Sequence, residues 1–291
     1  IQFLYFIGFK NLFVKKKKKR YMLRWLPRKS VWTSSVQRRC ISSKKCFELE
    51  KRSAAHNYSP LPVVFQTAKN AIVTDPEGKR YTDFLSGYGA VNQGHRHPRI
   101  MKAAKRQLQR VTLASRAFHC DNFGEYSKFI TEVFGYDMVL PMNTGAEGVE
   151  TALKTARKWG YQVKGIKKND ALIVCCTGCF HGRTLAAISM SDDPESFGGY
   201  EPLAPGFIHV PYGDATRLAD VFAKHGKRIC GFIAEPIQGE AGVKIPPAGY
   251  FKEVRKLCSR HKILFIADEV QSGLGRSGKL LAIQHENVRP D

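Results

Sequence analysis

From Tyr136 onward the chain alternates between two hydrophobic patterns. The stretches "ALIVCC", "GFIHVPY", "CGFIAEP" and "KILFIADE" are short apolar runs with no regular polar alternation, the pattern of strands buried on both faces of a parallel sheet. Between them, "GAEGVETALKTARKWG", "DATRLADVFAKHG" and "GYFKEVRKLCSRH" repeat apolar residues at helical spacing. The first of these helices is expected to close at Gly160. The second is expected to start at an Asp214 N-cap and to stop just before Gly226. Strands separated by helices in this way indicate βα units. Upstream, "AIVTDPEGKRYTDF" reads as a hairpin turning at Asp75-Pro76-Glu77-Gly78, and "PRIMKAAKRQLQRV" as a helix opened by Pro98.

In an open α/β sheet, ligands bind outside the carboxyl ends of the strands. Three such ends carry chemistry. "FIA" runs into Glu235-Pro236-Ile237-Gln238-Gly239-Glu240, and "ILFIA" into Asp268-Glu269-Val270-Gln271. "ALIVCC" runs into Thr177-Gly178-Cys179-Phe180-His181-Gly182-Arg183. The segment "NTGAEGVET" puts Gly145 and Ala146 at a helix start. That is either an ordinary glycine-containing entry or a cradle of free amides for a phosphate. Asp268 reads either as a capping carboxylate or as the partner of a ring nitrogen, and Arg183 either as a surface ion pair or as a fork for a substrate carboxylate. With Phe180 as a stacking face, the set suits a phosphorylated aromatic cofactor of the pyridoxal type.

Composition changes the picture in one place. Apolar residues at 43% and charged residues at 25% are ordinary for a globular chain, but the formal charge of +22 is not. Residues 1–47 hold 14 Lys and Arg and no acid, leaving 33 basic and 25 acidic residues, +8, for the rest. The excess therefore belongs to a leader, and no helix-turn-helix or zinc-finger pattern accompanies it, so no nucleic-acid partner is expected. The apolar start is too short for a membrane helix, so no membrane partner is expected either. Residues 1–21 read as translated upstream sequence. Residues 22–47, beginning "MLRWLPRKSVWTSSVQRR", have the Arg- and Ser-containing, acid-free composition of a disordered mitochondrial transit peptide. Cys176 and Cys179 form a CxxC with no second pair, and His95 and His97 lack a nearby carboxylate, so no metal site is expected. His181 receives no catalytic role.

The stretches "NYSPLPVVF", "DFLSGYGAVNQGHRHP", "LPMNTGAEGVETALKTARKWGY", "GCFHGRTLAAISMS", "EPIQGEAGV" and "LFIADEVQSGLGRSGKLLA" resemble the ornithine aminotransferases, within the class-III pyridoxal-phosphate aminotransferases that act on ω-amino groups. The resemblance runs from about His56 to Asp291. It implies an α/β fold of the aspartate-aminotransferase-like type: a mostly parallel sheet with helices on both faces. Residues 48–100 would be the N-terminal segment of a small domain and 101–291 an incomplete cofactor-binding large domain.

It implies pyridoxal 5'-phosphate as cofactor, ornithine and 2-oxoglutarate as substrates, a homodimer, and the mitochondrial matrix as location. The products would be glutamate 5-semialdehyde, which cyclises to pyrroline-5-carboxylate, and glutamate. By the same resemblance, Gly145 and Ala146 would hold the cofactor phosphate and Phe180 would stack on its ring. Asp268, the catalytic carboxylate, would hold the ring nitrogen, and Gln271 would touch the ring oxygen. Tyr58 and Arg183 would hold the α-carboxylate of ornithine, Tyr88 would line the channel, and Glu240 would pair with a downstream Arg. The lysine that anchors the cofactor is expected beyond Asp291, since Lys279 does not match its position, so this chain alone is expected to be inactive. Two other readings stay open: a different ω-aminotransferase, acting on acetylornithine or γ-aminobutyrate, and a non-catalytic interaction protein.

Overall fold

A computed structural model describes residues 41–291, which fall into two compact units divided between Ser59 and Pro60. Most of the expected leader lies outside the described residues. Its end does not match the expected disorder: a helix, α1 (Ser43–Ser53), begins inside it, capped by the Ser42 side chain accepting from the Lys45 amide.

The second unit opens with a three-stranded antiparallel sheet, β1 (Thr67–Lys69), β2 (Ile72–Thr74) and β3 (Arg80–Thr82), in that order. The expected hairpin is β2–β3, with the register Val73 opposite Tyr81. Asp75 is what closes it. Its carboxylate accepts from the amides of Glu77 and Lys79 and from the Tyr81 hydroxyl, at 2.8–3.0 Å. Three helices follow: α2 (Pro98–Leu108), α3 (Asp121–Phe134) and α4 (Gly145–Gln162).

The main sheet is then built from β4 (Leu172–Cys176), β5 (Phe207–Val210), β6 (Ile229–Ala234) and β7 (Leu264–Ala267). Two one-turn helices, α5 (Leu185–Ile188) and α6 (Pro194–Phe197), lie between β4 and β5; α7 (Ala215–His225) and α8 (Tyr250–His261) follow β5 and β6. All neighbouring strands are parallel, in the order β5-β4-β6-β7.

The lack of alternation in these strands has a direct cause. Ile173 and Cys175 of β4 enter a core cluster with Val149, Leu153 and Ala156 of α4. Val174 and Cys176 enter another with Leu218 and Phe222 of α7 and Val254 of α8. Successive side chains point to opposite faces, and both faces are covered by helices.

Helix α4 does not stop at Gly160 but runs to Gln162. Gly160 is there for packing: a Cβ on it would lie 2.7 Å from the Cys230 Cβ. The strand order also creates a crevice. The chain leaves β4 toward β5 on one side, and leaves β6 toward β7 on the other. Between the adjacent carboxyl ends of β4 and β6 the connections diverge, which is where such sheets bind ligands.

Candidate active site

Four segments meet at that crevice because small residues allow it. A Cβ on Gly145 would lie 2.7 Å from Val270 Cγ1, and a Cβ on Gly182, with φ of +117°, would lie 3.0 Å from the Ala146 Cβ. The start of α4 is thereby pressed against both the 179–183 loop and the segment after β7. A Cβ on Gly239 would lie 2.0 Å from the Gln271 Oε1, so Gly239 leaves the room that the Gln271 amide occupies.

The N-terminus of α4 is capped by its own residues. Thr144 Oγ1 accepts from the Glu147 amide at 3.1 Å, and Glu147 reaches back to the Asn143 amide at 2.7 Å. This is a variant of the capping box, with the glutamate reaching the residue before the cap. It leaves the amides of Gly145 and Ala146 with no acceptor among the described residues, at the positive end of an 18-residue helix. A phosphate fits there.

Asp268 stands where β7 ends, nearly buried, with its amide donating to the Ala234 carbonyl of β6. Its Oδ2 lies 2.7 Å from Nδ1 of His181, and its Oδ1 accepts from the Val270 amide at 3.1 Å. His181, to which no role was assigned, is therefore the group that holds the expected cofactor carboxylate. Burial opposes its imidazolium form, but the hydrogen bond to Asp268 favours it and the pKa is lifted to about 10.

Phe180 precedes His181, and its amide donates to Glu235 Oε2 at 3.0 Å. Glu235, buried at the end of β6, fixes the backbone that carries the aromatic ring; desolvation raises its pKa to about 7. Gln238, fully buried, ties the same loop down through Thr177 O at 2.9 Å.

The remaining expected residues are placed as follows. Gln271 Nε2 donates to Glu240 Oε1 at 3.2 Å, so these two sit together. Tyr88 is exposed, with φ of +54°, on a loop held by Asp83, which accepts from Leu85, Ser86 and His95. The neighbouring Gly89 comes within reach of the Gln271 carbonyl, and Arg276 bonds Asn92. Arg183 is exposed directly after Gly182. Tyr58 lies in the first unit and is exposed.

Glu269, adjacent to Asp268, faces away from this chemistry. It accepts from Ser272 Oγ and from the amides of Ala282 and Ile283, and so anchors the 3-10 turn Ala282–Glu286. His95 has a carboxylate partner that sequence proximity did not reveal, Asp83 at 2.7 Å. Among the described residues no group of three or more His, Cys, Asp or Glu could hold a metal ion, and no helix is long and apolar enough to cross a membrane.

Comparison with known proteins agrees with this geometry. The family model described as aminotransferase class-III matches residues 53–291. A mitochondrial ornithine aminotransferase of Oryza sativa subsp. japonica is 57% identical over 251 residues, 86% of this chain and 53% of the relative. The solved ornithine aminotransferase of Toxoplasma gondii, whose description records partial occupancy of PLP, superposes with a TM-score of 0.84 at 42% identity, over 87% of this chain and 59% of that one. An acetylornithine aminotransferase from Elizabethkingia anophelis superposes with a TM-score of 0.76 at 48% identity, over 86% and 59%. The chain thus spans about half the length of the curated relatives it matches.

Proposed function

The chain belongs to the class-III aminotransferases, a pyridoxal-phosphate-dependent family, and from that membership we propose that it is the ornithine-binding and cofactor-binding part of an ornithine aminotransferase. The protein would move the δ-amino group of ornithine to 2-oxoglutarate. Glutamate 5-semialdehyde, and by cyclisation pyrroline-5-carboxylate, would leave first, and glutamate second. One observation carries the reading: a nearly buried carboxylate, Asp268, held at 2.7 Å by the His181 imidazole, on a segment pressed against the start of α4, where the amides of Gly145 and Ala146 stand.

When bound, the cofactor supplies a protonated ring that accepts the electron pair left when a proton leaves the substrate carbon. Asp268 would keep the ring nitrogen protonated, because an anion beside a cation disfavours loss of its proton. Gly145 and Ala146 would hold the phosphate by two amides. Phe180, fixed through Glu235, would cover one face of the ring and exclude water. Gln271 would exchange its contact with Glu240 for one to the ring oxygen. Tyr58 and Arg183 would hold the α-carboxylate of ornithine, leaving the δ-amine to react, and Tyr88 would line its approach. Glu240 would answer to an Arg outside the 291 residues in the second half-reaction. The anchoring lysine, which would also carry the proton, is proposed for the part of the relatives' length that these residues do not span. On that reading the 291-residue polypeptide does not transaminate.

Residues 48–100 would belong to the small domain and 101–291 to the large one, in a homodimer. The name of the rice relative, with the Arg-rich composition of residues 22–47, supports a mitochondrial matrix location. The similarity to an acetylornithine aminotransferase supports the second reading, a different ω-amino substrate.

Retention of pyridoxal phosphate after equilibrium dialysis tests the cofactor site. Asp268→Asn is expected to weaken it at least about tenfold, near 1.4 kcal/mol. Unchanged retention refutes the assignment of Asp268. In the whole protein, Tyr58→Ile is expected to abolish the preference for ornithine, read as kcat/KM against γ-aminobutyrate; a retained preference removes Tyr58 from the substrate site.

A further inference from the structure

We propose that the main sheet carries a monovalent-cation site at the end opposite the crevice. Three backbone carbonyls form it, its ligand class is an ammonium ion, and the protein fills it from its own sequence with the side chain of Lys164.

Three elements supply the cage. Lys164 Nζ donates to the carbonyls of Gly226 at 2.7 Å, Ile229 at 2.7 Å and His261 at 2.9 Å. Gly226 caps the end of α7, His261 is the last residue of α8, and Ile229 opens β6. The last carbonyls of a helix find no amide inside it, and they carry the negative end of its dipole. Two such ends and a strand start thus turn partial negative charge on one point. Packing brings the helix ends together. The Phe222 and His261 rings meet edge to face at 5.8 Å. Gly226 lets His261 approach, since a Cβ on it would lie 2.9 Å from the His261 Nδ1.

Lys164 arrives from the exit of α4 on a fixed backbone. Its amide bonds the Trp159 carbonyl at 3.2 Å. Gly165, with φ of +77°, then turns the chain so that the Ile166 amide reaches the Gly160 carbonyl at 2.9 Å.

The number of acceptors identifies the occupant. Three carbonyls take three hydrogens, which an ammonium has and a neutral amine does not. Lysines form ion pairs among the described residues at Lys45, Lys128 and Lys256, and Lys164 is not one of them. Its charge is answered by carbonyl oxygens instead. Burial pulls its pKa down to about 8, which leaves it charged at neutral pH. A lysine that only complemented one helix dipole would need one of these contacts, not all three.

Removing the side chain and offering the free ion tests this without cofactor or turnover. Urea unfolding of the 291-residue protein is followed at neutral pH for Lys164→Ala and Lys164→Met. Each substitution is expected to raise the unfolding equilibrium constant at least about tenfold, because three charge-assisted bonds are lost. Alanine leaves the cage open, whereas methionine fills the same space with an uncharged chain. Ammonium chloride at about 0.5 M is expected to lower the constant of the alanine variant at least about threefold relative to tetramethylammonium chloride, which carries the charge but no N–H. The same salt comparison on the unsubstituted protein is subtracted. The methionine variant is expected to show no difference between the salts. An alanine variant as stable as the unsubstituted protein, or one that responds equally to both salts, overturns the proposal. So does a methionine variant that ammonium rescues as well as it rescues alanine. If the alanine variant does not fold in plain buffer, its refolding yield in the two salts decides in the same way.

Discussion

At Gly239 a single Cβ separates stability from function. It would meet the Gln271 Oε1 at 2.0 Å, but that atom ends a flexible side chain. Gly239→Ala is therefore expected to displace Gln271 rather than unfold the chain. The thermal midpoint should stay within the change caused by about 0.5 kcal/mol, while cofactor retention falls several-fold; a large drop in midpoint would contradict this. Glu235 gives the pH-dependent case. Its pKa is raised by burial from 4.5 to about 7, so the folded state binds the proton more tightly than the unfolded one. Stability is then highest below 4.5 and falls as pH rises through the window up to about 7, by roughly 3 kcal/mol. Glu235→Gln keeps an acceptor for the Phe180 amide and is expected to flatten the fall in thermal midpoint between those limits; an unchanged slope would assign the pH dependence to other groups. The contrast with Asp268 shows what sequence could and could not disclose. The position of Asp268, Gln271, Phe180 and Glu240 after the carboxyl ends of parallel strands was legible, because apolar runs without alternation mark those strands. The role of His181 was not, because its partner lies 87 residues away. Cys179 looked like half of an incomplete metal motif, and only folding places its thiol 3.0 Å from the Met190 carbonyl.

At the scale of elements, α4 offers a test in which two physical effects have opposite sign. In an exposed helix, Gly→Ala stabilises by about 1 kcal/mol. At Gly160 the new Cβ would meet the Cys230 Cβ at 2.7 Å and Ile166 Cδ1 at 3.0 Å, and the first of these is fixed to strand β6. Overpacking of this kind costs about 1–3 kcal/mol. Gly160→Ala is expected to lower stability in urea unfolding, and a rise would show that α4 can slide on the sheet. Helix α7 was legible from its cap: Asp214 accepts from Arg217 at its start as its position suggested. The strands were legible because two-sided burial removes alternation. What escaped had no such signal. Helix α3 starts at Asp121 after Cys120, which makes no side-chain cap, and buries no residue. Strand β1 is three residues with only Ala68 partly buried, too short for any period. Gly160 was mistaken for a stop because a glycine that ends a helix and one that permits close packing look alike in one dimension.

For the molecule as a whole, the parallel sheet is protected unevenly. β5 and β7 are its edges. Beside β7 runs a largely apolar groove of about 770 Å³, lined by Phe134 of α3, Trp159 of α4 and Leu264 of the strand itself. Met138 and Leu140 on its rim are 89% and 67% exposed. At the strand's free edge, among the described residues, Phe265 is engaged by Asp291, which takes its amide hydrogen at 2.8 Å and donates to its carbonyl at 2.9 Å. Strands of parallel sheets are ordinarily covered on both sides, and contiguous exposed apolar surface promotes association. The 291-residue polypeptide is therefore expected to bind an apolar dye and to sediment as more than a monomer at micromolar concentration. Replacing Met138 and Leu140 together by Lys should reduce both effects several-fold. The thermal midpoint should hardly move, because neither side chain contributes to the two buried clusters. Equal dye binding by the double variant would mean that the associating surface lies elsewhere, and the free edge of β7 would not be what limits the solubility of this chain.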